Sequence, residues 1–120
     1  MAAEPAYANG PIRGVFHCFG STRETAEQVV DRGFLIAVGG VVTFPNADRL
    51  REAVRWTPVE RLLLETDCPY LAPQSVRGRR NEPAYVAEVA RRVAELKGLT
   101  PDAVAEATTR NAQTLFGLDV

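Results

Sequence analysis

Three short apolar runs, each followed by a stretch with helical character, constrain this chain more than any other feature. The first, Ile12 to Phe16, is apolar and β-branched, and Ser21-Thr22-Arg23-Glu24 after it has the spacing of a capping box that opens a helix. Ala26, Val29 and Val30 give that helix an apolar stripe, and Gly33 supplies the residue most easily placed in a left-handed C-terminal turn. The second run, Phe34 to Val38, has the length and continuity of a strand buried on both faces; Asn46 then caps a helix carrying Leu50, Ala53 and Val54, which Pro58 closes. Leu62 to Leu64 is the third run, followed by a long loop from Asp67 to Asn81 that contains Pro69, Pro73, Gly78 and the arginines at 77, 79 and 80. Two helices finish the chain. Val86, Val89, Val93 and Leu96 stripe the first, which Gly98 ends, and Thr100-Pro101 is the N-cap and N1 pair of a second that presents Val104, Thr108, Ala112 and Leu115 before Gly117. Strand and helix in alternation predict an α/β fold whose economical packing is a parallel sheet with right-handed crossovers. A closed (β/α)₈ barrel takes eight strands and about 250 residues, so a chain of 120 residues cannot close one.

In parallel β/α folds the chemistry gathers where loops converge, at the C-terminal ends of the strands. His17, the single histidine, directly follows the first run, and Glu65-Thr66-Asp67 directly follows the third, so both fall on that rim. Alternation along a strand puts Glu65 and Asp67 on one face and turns Cys18 and Cys68 away from His17 and Asp67, which reads the cysteines as packing residues. With neighbouring strands about 4.8 Å apart, His17 and Asp67 stand on strands about 10 Å apart, and Gly39 and Gly40 leave the gap between them open. An imidazole and a carboxylate converging there form a corner of a divalent-metal site, where a bound water becomes a nucleophile near neutral pH. A hydrogen-bonded structural histidine, and carboxylates that cap a turn or pair with arginine, are the competing reading of the same residues. The arginines at 77, 79 and 80 read either as a solvated face or as forks for phosphate oxygens on a functional loop.

Composition limits the partners. Fourteen basic against fifteen acidic residues give a formal charge of -1, so contact with nucleic acid must be local and not a broad basic face. The longest apolar run, Gly33 to Phe44, falls well short of the roughly 20 residues that span a bilayer, so no membrane segment is expected. Residues 1–13 are expected to be a frayed leader without the character of a secretory signal, preceding one domain over 14–120. Free cysteines and no export signal place the expected compartment in the cytoplasm.

The words His17-Cys18-Phe19, Glu65-Thr66-Asp67-Cys68-Pro69-Tyr70-Leu71-Ala72-Pro73 and Arg77-Gly78-Arg79-Arg80-Asn81-Glu82-Pro83 closely resemble, in this order and spacing, the TatD-related DNase family. The resemblance runs on through Thr43-Phe44 and Asn46-Ala47 to Thr109, Asn111 and Leu115-Phe116-Gly117. It implies the C-terminal part of a TIM-barrel hydrolase of the amidohydrolase-like group, with the chain's three strands as the last three. It also implies divalent metal ions (Mg, Mn or Zn) that cut phosphodiester bonds, often in DNA from a 3′ end. Carried over by position, His17 matches a metal ligand and Asp67 matches a metal ligand that helps activate the water. Glu65 matches an auxiliary acidic position beside them, and Arg77 and Arg80 sit where family loops approach substrate. Gly20-Ser21-Thr22 departs from the family's Ser-Gly-Ser after His-Cys-Phe, which leaves substrate contact at that turn open. The family's opening His-x-His pair, its bridging glutamate and a further histidine belong to earlier strands, for which this chain has no residues. Two alternatives remain: an inactive remnant or interaction module that self-associates along open strand edges, and a hydrolase of another phosphoester or an amide. A nuclease fragment of this kind would act once complemented by the missing strands.

Overall fold

A computed structural model describes residues 12–117. It contains strand β1 (Gly14–Phe16), helix α1 (Arg23–Asp31), strand β2 (Phe34–Val38), helix α2 (Asp48–Trp56), strand β3 (Leu62–Leu64) and helices α3 (Val86–Lys97) and α4 (Pro101–Phe116). The strands form one three-stranded sheet in the order β1-β2-β3. Both pairings are parallel, with Val15 opposite Leu35 and Ala37 opposite Leu63. This is the expected α/β arrangement of three parallel strands with their helices. Of the leader expected over residues 1–13, residues 1–11 lie outside the described residues; Ile12 packs on one sheet face, and the Arg13 N–H donates to Gly33 O at 2.8 Å.

Alternation sorts the strand residues into two layers. Ile36, Val38 and Leu62 face a core that also holds Val29 and Val30 of α1, Val54 of α2, Val89 and Val93 of α3 and Val104 of α4. Leu35, Ala37 and Leu63 face the other way, against Ile12, Val15 and the last turns of α4 at Ala112 and Leu115. The same helix therefore serves both layers. Asn111 fixes its approach, its Nδ2 donating to Val59 O and Leu62 O at 2.8 Å each, at the start of β3.

Two helix starts differ from the expected ones. The cap of α1 is Thr22 and not Ser21: Thr22 Oγ1 accepts from the Thr25 N–H at 3.3 Å, and Ser21 Oγ donates to Thr25 Oγ1. Both hydroxyls are competent, and the helix frame is the one that turns Ala26, Val29 and Val30 inward. The N-cap of α2 is Ala47 and not Asn46, with no side-chain cap bond. Arg51 does the work from inside the helix, its guanidinium donating to Phe44 O at 2.6 Å, Pro45 O at 3.1 Å and Asp48 Oδ1 at 2.6 Å. The far end of α2 is tied by Lys97, whose Nζ donates to Val54 O, Arg55 O and Thr57 O. Burial lowers the ammonium pKa there, against a smaller raising effect of Glu60.

The remaining ends follow the sequence. Gly98 and Gly117 close α3 and α4, each at φ 66°, and Thr100 caps α4 by accepting from the Ala103 N–H at 3.1 Å. Thr100→Ala is expected to lower stability by about 1 kcal/mol, read as a lower urea midpoint with an unchanged m-value. A shift in m would show that the helix end unravels in the native state instead.

Candidate metal centre

The C-terminal ends of β1 and β3 bring His17, Glu65 and Asp67 together, although β2 lies between their strands. Each offers a ligand atom, and the three atoms lie within 4.8 Å of one another. Glu65 spans the gap. Its Oε2 accepts from His17 Nδ1 at 2.5 Å, and its Oε1 accepts from the Cys18 N–H at 2.5 Å. Gly39, at the end of β2, leaves the room: a Cβ there would stand 3.1 Å from Asp67 Oδ2 and 3.5 Å from Glu65 Cγ. The floor that Gly39 supplies is therefore occupied by the two carboxylates, whereas Gly40 makes room for the loop backbone, a Cβ there standing 2.5 Å from Leu71 O and 3.0 Å from Pro73 N.

The backbone at both strand ends is bent sharply. Cys18 at φ 53° and Asp67 at φ 56° occupy the left-handed region, unusual outside glycine and concentrated at functional sites. That turn also overrides the alternation argument for the cysteines, which both lie exposed instead of packing inward. The Cys18 thiol is raised in pKa, by desolvation first and then by the Asp67 carboxylate.

With its Nδ1–H given to Glu65, neutral His17 turns the lone pair of Nε2 toward Asp67 Oδ1, 3.3 Å away. Two acceptors face each other at that distance, and something positive between them satisfies both. One solution is a second proton. Accordingly the imidazole pKa is raised, by the hydrogen bond to Glu65 first, then by its charge, with Asp67 a smaller contributor. The other solution is a cation: two atoms each about 2.1 Å from one metal stand roughly 3 to 3.5 Å apart, the observed spacing. The donor set of one imidazole nitrogen and carboxylate oxygens suits zinc or manganese, and a carboxylate holding the far nitrogen is the usual support of a metal-binding histidine. The side chains of Glu65 and Asp67 are 16% and 12% exposed and that of His17 is 70% exposed, so the cluster opens outward on the imidazole side.

Because the folded pKa of His17 lies above 6.5, the linked stabilisation is present below the unfolded value and disappears as pH rises through the folded one. Protonation would compete with any cation held between His17 and Asp67, so uptake of such a cation would strengthen over the same rise. Glu65→Gln is expected to bring the His17 titration midpoint back toward 6.5 when followed by NMR. A midpoint that stays raised in that variant would remove Glu65 from this role.

Neither expected substrate arginine is among the three clustered residues. Arg77 is exposed, lies 4.0 Å over the Phe44 ring and donates to Gln74 Oε1 at 3.4 Å. Arg80 is exposed on the rim of a depression shared with Cys68, Pro69 and Glu82. An apolar groove of about 530 Å³ lies between β3, α3 and α4, lined by Leu63, Leu64, Val86, Ala90 and Ala105, and contains none of the three cluster residues. No helix among the described residues is long and apolar enough to cross a membrane. Sequence reasoning assigned nothing to Asn81, which is 2% exposed and bonds across the loop that carries Asp67. A polar residue ending a long loop between two prolines was the available signal.

Fold and cluster together define a segment of a (β/α) barrel with an imidazole–carboxylate site on its C-terminal rim. The profile of the TatD related DNase family matches residues 2–117, and the chain belongs to that family. It is 51% identical over 106 residues to an uncharacterized metal-dependent hydrolase of Escherichia coli, YcfH, covering 88% of this chain and 40% of that protein. It is 42% identical over 109 residues to the 3′-5′ ssDNA/RNA exonuclease TatD of Citrobacter koseri, covering 87% of this chain and 42% of that protein. Among solved structures, the TatD homolog YJJV of Escherichia coli superposes with a TM-score of 0.82 at 36% identity, over 88% of this chain and 41% of that one. The chain thus spans about 40% of the length of the relatives it matches. It is a partial TIM barrel of a metal-dependent hydrolase family.

Proposed function

We propose that this chain supplies one side of the metal site of a 3′-5′ deoxyribonuclease, with His17 Nε2 and Asp67 as ligands of a divalent cation. The observation that carries this reading is the 3.3 Å approach of His17 Nε2 to Asp67 Oδ1 while Nδ1 is committed to Glu65. Glu65 fixes the imidazole tautomer and its direction, and by also holding the Cys18 N–H it keeps the end of β1 in place. Asp67, which would hold the cation, would also orient the attacking water and accept its proton. A bound divalent cation would polarise a phosphoryl oxygen and make a water acidic enough to attack near neutral pH. Arg77 and Arg80, on the loop beside the rim, would meet phosphate oxygens of the strand being cut.

A hydrolytic zinc keeps three protein ligands as a rule, so His17 and Asp67 act with groups from further strands of the barrel. The share of its relatives that the chain spans supports complementation by such a segment. The nucleic-acid substrate is supported by the family and by the name of the Citrobacter relative. The test is shortening of a 3′-labelled DNA single strand with Mg²⁺ or Mn²⁺, by this chain mixed with the complementary segment of a relative. Metal-dependent shortening that Asp67→Ala abolishes is expected. Shortening that survives Asp67→Ala, or that needs no metal, would contradict the assignment.

A further inference from the structure

β3 is pinned at both ends by a buried asparagine. Asn111 bridges Val59 O and Leu62 O where the strand begins. Asn81 does the same where it ends, its Nδ2 donating to Thr66 O and to Tyr70 O, the latter at 2.7 Å. Asn81 adds a third bond from its own backbone N–H to Pro69 O at 3.0 Å, and inside the span the Tyr70 N–H donates to Asp67 O at 2.9 Å. These bonds fall on either side of Asp67, whose left-handed backbone needs outside support to persist. Asn81 is 2% exposed, and among the described residues its Oδ1 has no hydrogen-bond partner. A leucine would fill that volume without an unmet acceptor, so what the asparagine contributes is its pair of N–H donors.

We propose that Asn81 is a positioning residue for the metal site: it holds the turn from Thr66 to Tyr70 so that the Asp67 carboxylate meets His17 Nε2. This rests on the reading of His17 and Asp67 as metal ligands. A water-filled or mobile turn would leave Asp67 free to swing away, because Asp67 has no other side-chain bond among those described than its approach to His17 and the neighbouring Cys18 thiol. Asn81→Asp keeps the shape and replaces the donating nitrogen by an oxygen facing two carbonyls; Asn81→Ala removes the bridge outright. Asn111→Ala is the control, removing the equivalent bridge at the other end of the same strand.

The experiment records the His17 ring resonances and the Mn²⁺ affinity of the wild type and the three variants, each with its melting temperature. Both Asn81 variants are expected to shift the His17 ring resonances and to weaken Mn²⁺ binding by roughly 10-fold or more, the scale of losing an outer partner of a metal ligand. Asn111→Ala is expected to lower the melting temperature while leaving ring resonances and affinity as in the wild type. Asn81 variants that lose thermal stability but keep wild-type ring resonances would overturn the proposal, and Asn81→Asp decides it where Asn81→Ala does not fold. Wild type that takes up no Mn²⁺ at His17 would instead refute the metal reading on which it rests; the ring shifts still report whether Asn81 holds the turn.

Discussion

Asp67→Asn is expected to leave the chain folded and at least as stable as the wild type, while its affinity for a divalent cation falls by more than the roughly 10- to 100-fold that losing an outer partner costs. Asparagine accepts the left-handed backbone that Asp67 adopts at φ 56° as readily as aspartate does. It also removes one of the two carboxylates crowded over Gly39, so the folded state loses a repulsion and no packing. The weak neutral oxygen that replaces the carboxylate cannot balance a cation beside His17 Nε2. Calorimetric titration and a melting curve on the same sample separate the two effects. Unchanged affinity would place the cation elsewhere, and a large loss of stability would make Asp67 a structural residue.

The largest expected effect on stability belongs to Leu62→Ala. Leu62 is fully buried, pairs with Ile36 across the ladder and belongs to the core that joins all four helices to the sheet. Truncation there is expected to cost about 2 to 5 kcal/mol, a large share of the roughly 5 to 15 kcal/mol that holds an ordinary domain together. In a sheet of three strands the neighbours have little means of closing the cavity. Leu64→Ala, at a half-buried position of the same strand, is expected to cost less. Equal urea midpoints for the two variants would show that the deeper burial of Leu62 does not set the cost of truncation.

Much of this architecture was legible because continuous apolar runs in parallel sheets carry their own boundaries. Phe34–Val38 and Leu62–Leu64 form as read, and Gly98, Thr100 and Gly117 mark helix ends by backbone requirement. Reading failed where a tertiary contact outranks a local one. Arg51 satisfies the carbonyls before α2, so no capping side chain is needed at its start and Asn46 is not used. Ile12 joins a core layer without joining the ladder, which begins at Gly14. Among site residues, the convergence of His17 with Glu65 and Asp67 followed from strand order and the glycines between. The exposure of Cys18 did not, because strand alternation ends at Phe16 and the backbone then turns left-handed. Asn81 was hidden because its bonds all reach back across a loop whose path no periodicity encodes.

Glu65 joins the two strand ends at the cluster. It is the residue that crosses from β3 to β1, and it acts on His17 and on the Cys18 backbone with one carboxylate. Its hydrogen bond makes an exposed imidazole point one way. In the proposed reading, that orientation would make a strand-end histidine half of a cation site.

The most direct measurement is titration of the chain with paramagnetic Mn²⁺ while the His17 ring and the backbone amides are followed by NMR, a readout that detects even weak binding. Broadening is expected to begin at His17 and around Asp67, to grow as pH rises through the His17 midpoint, and to vanish from those positions in Asp67→Asn. Broadening that is spread over exposed carboxylates such as Glu24, Glu52 and Glu106, with His17 no more affected than they are, would contradict that expectation.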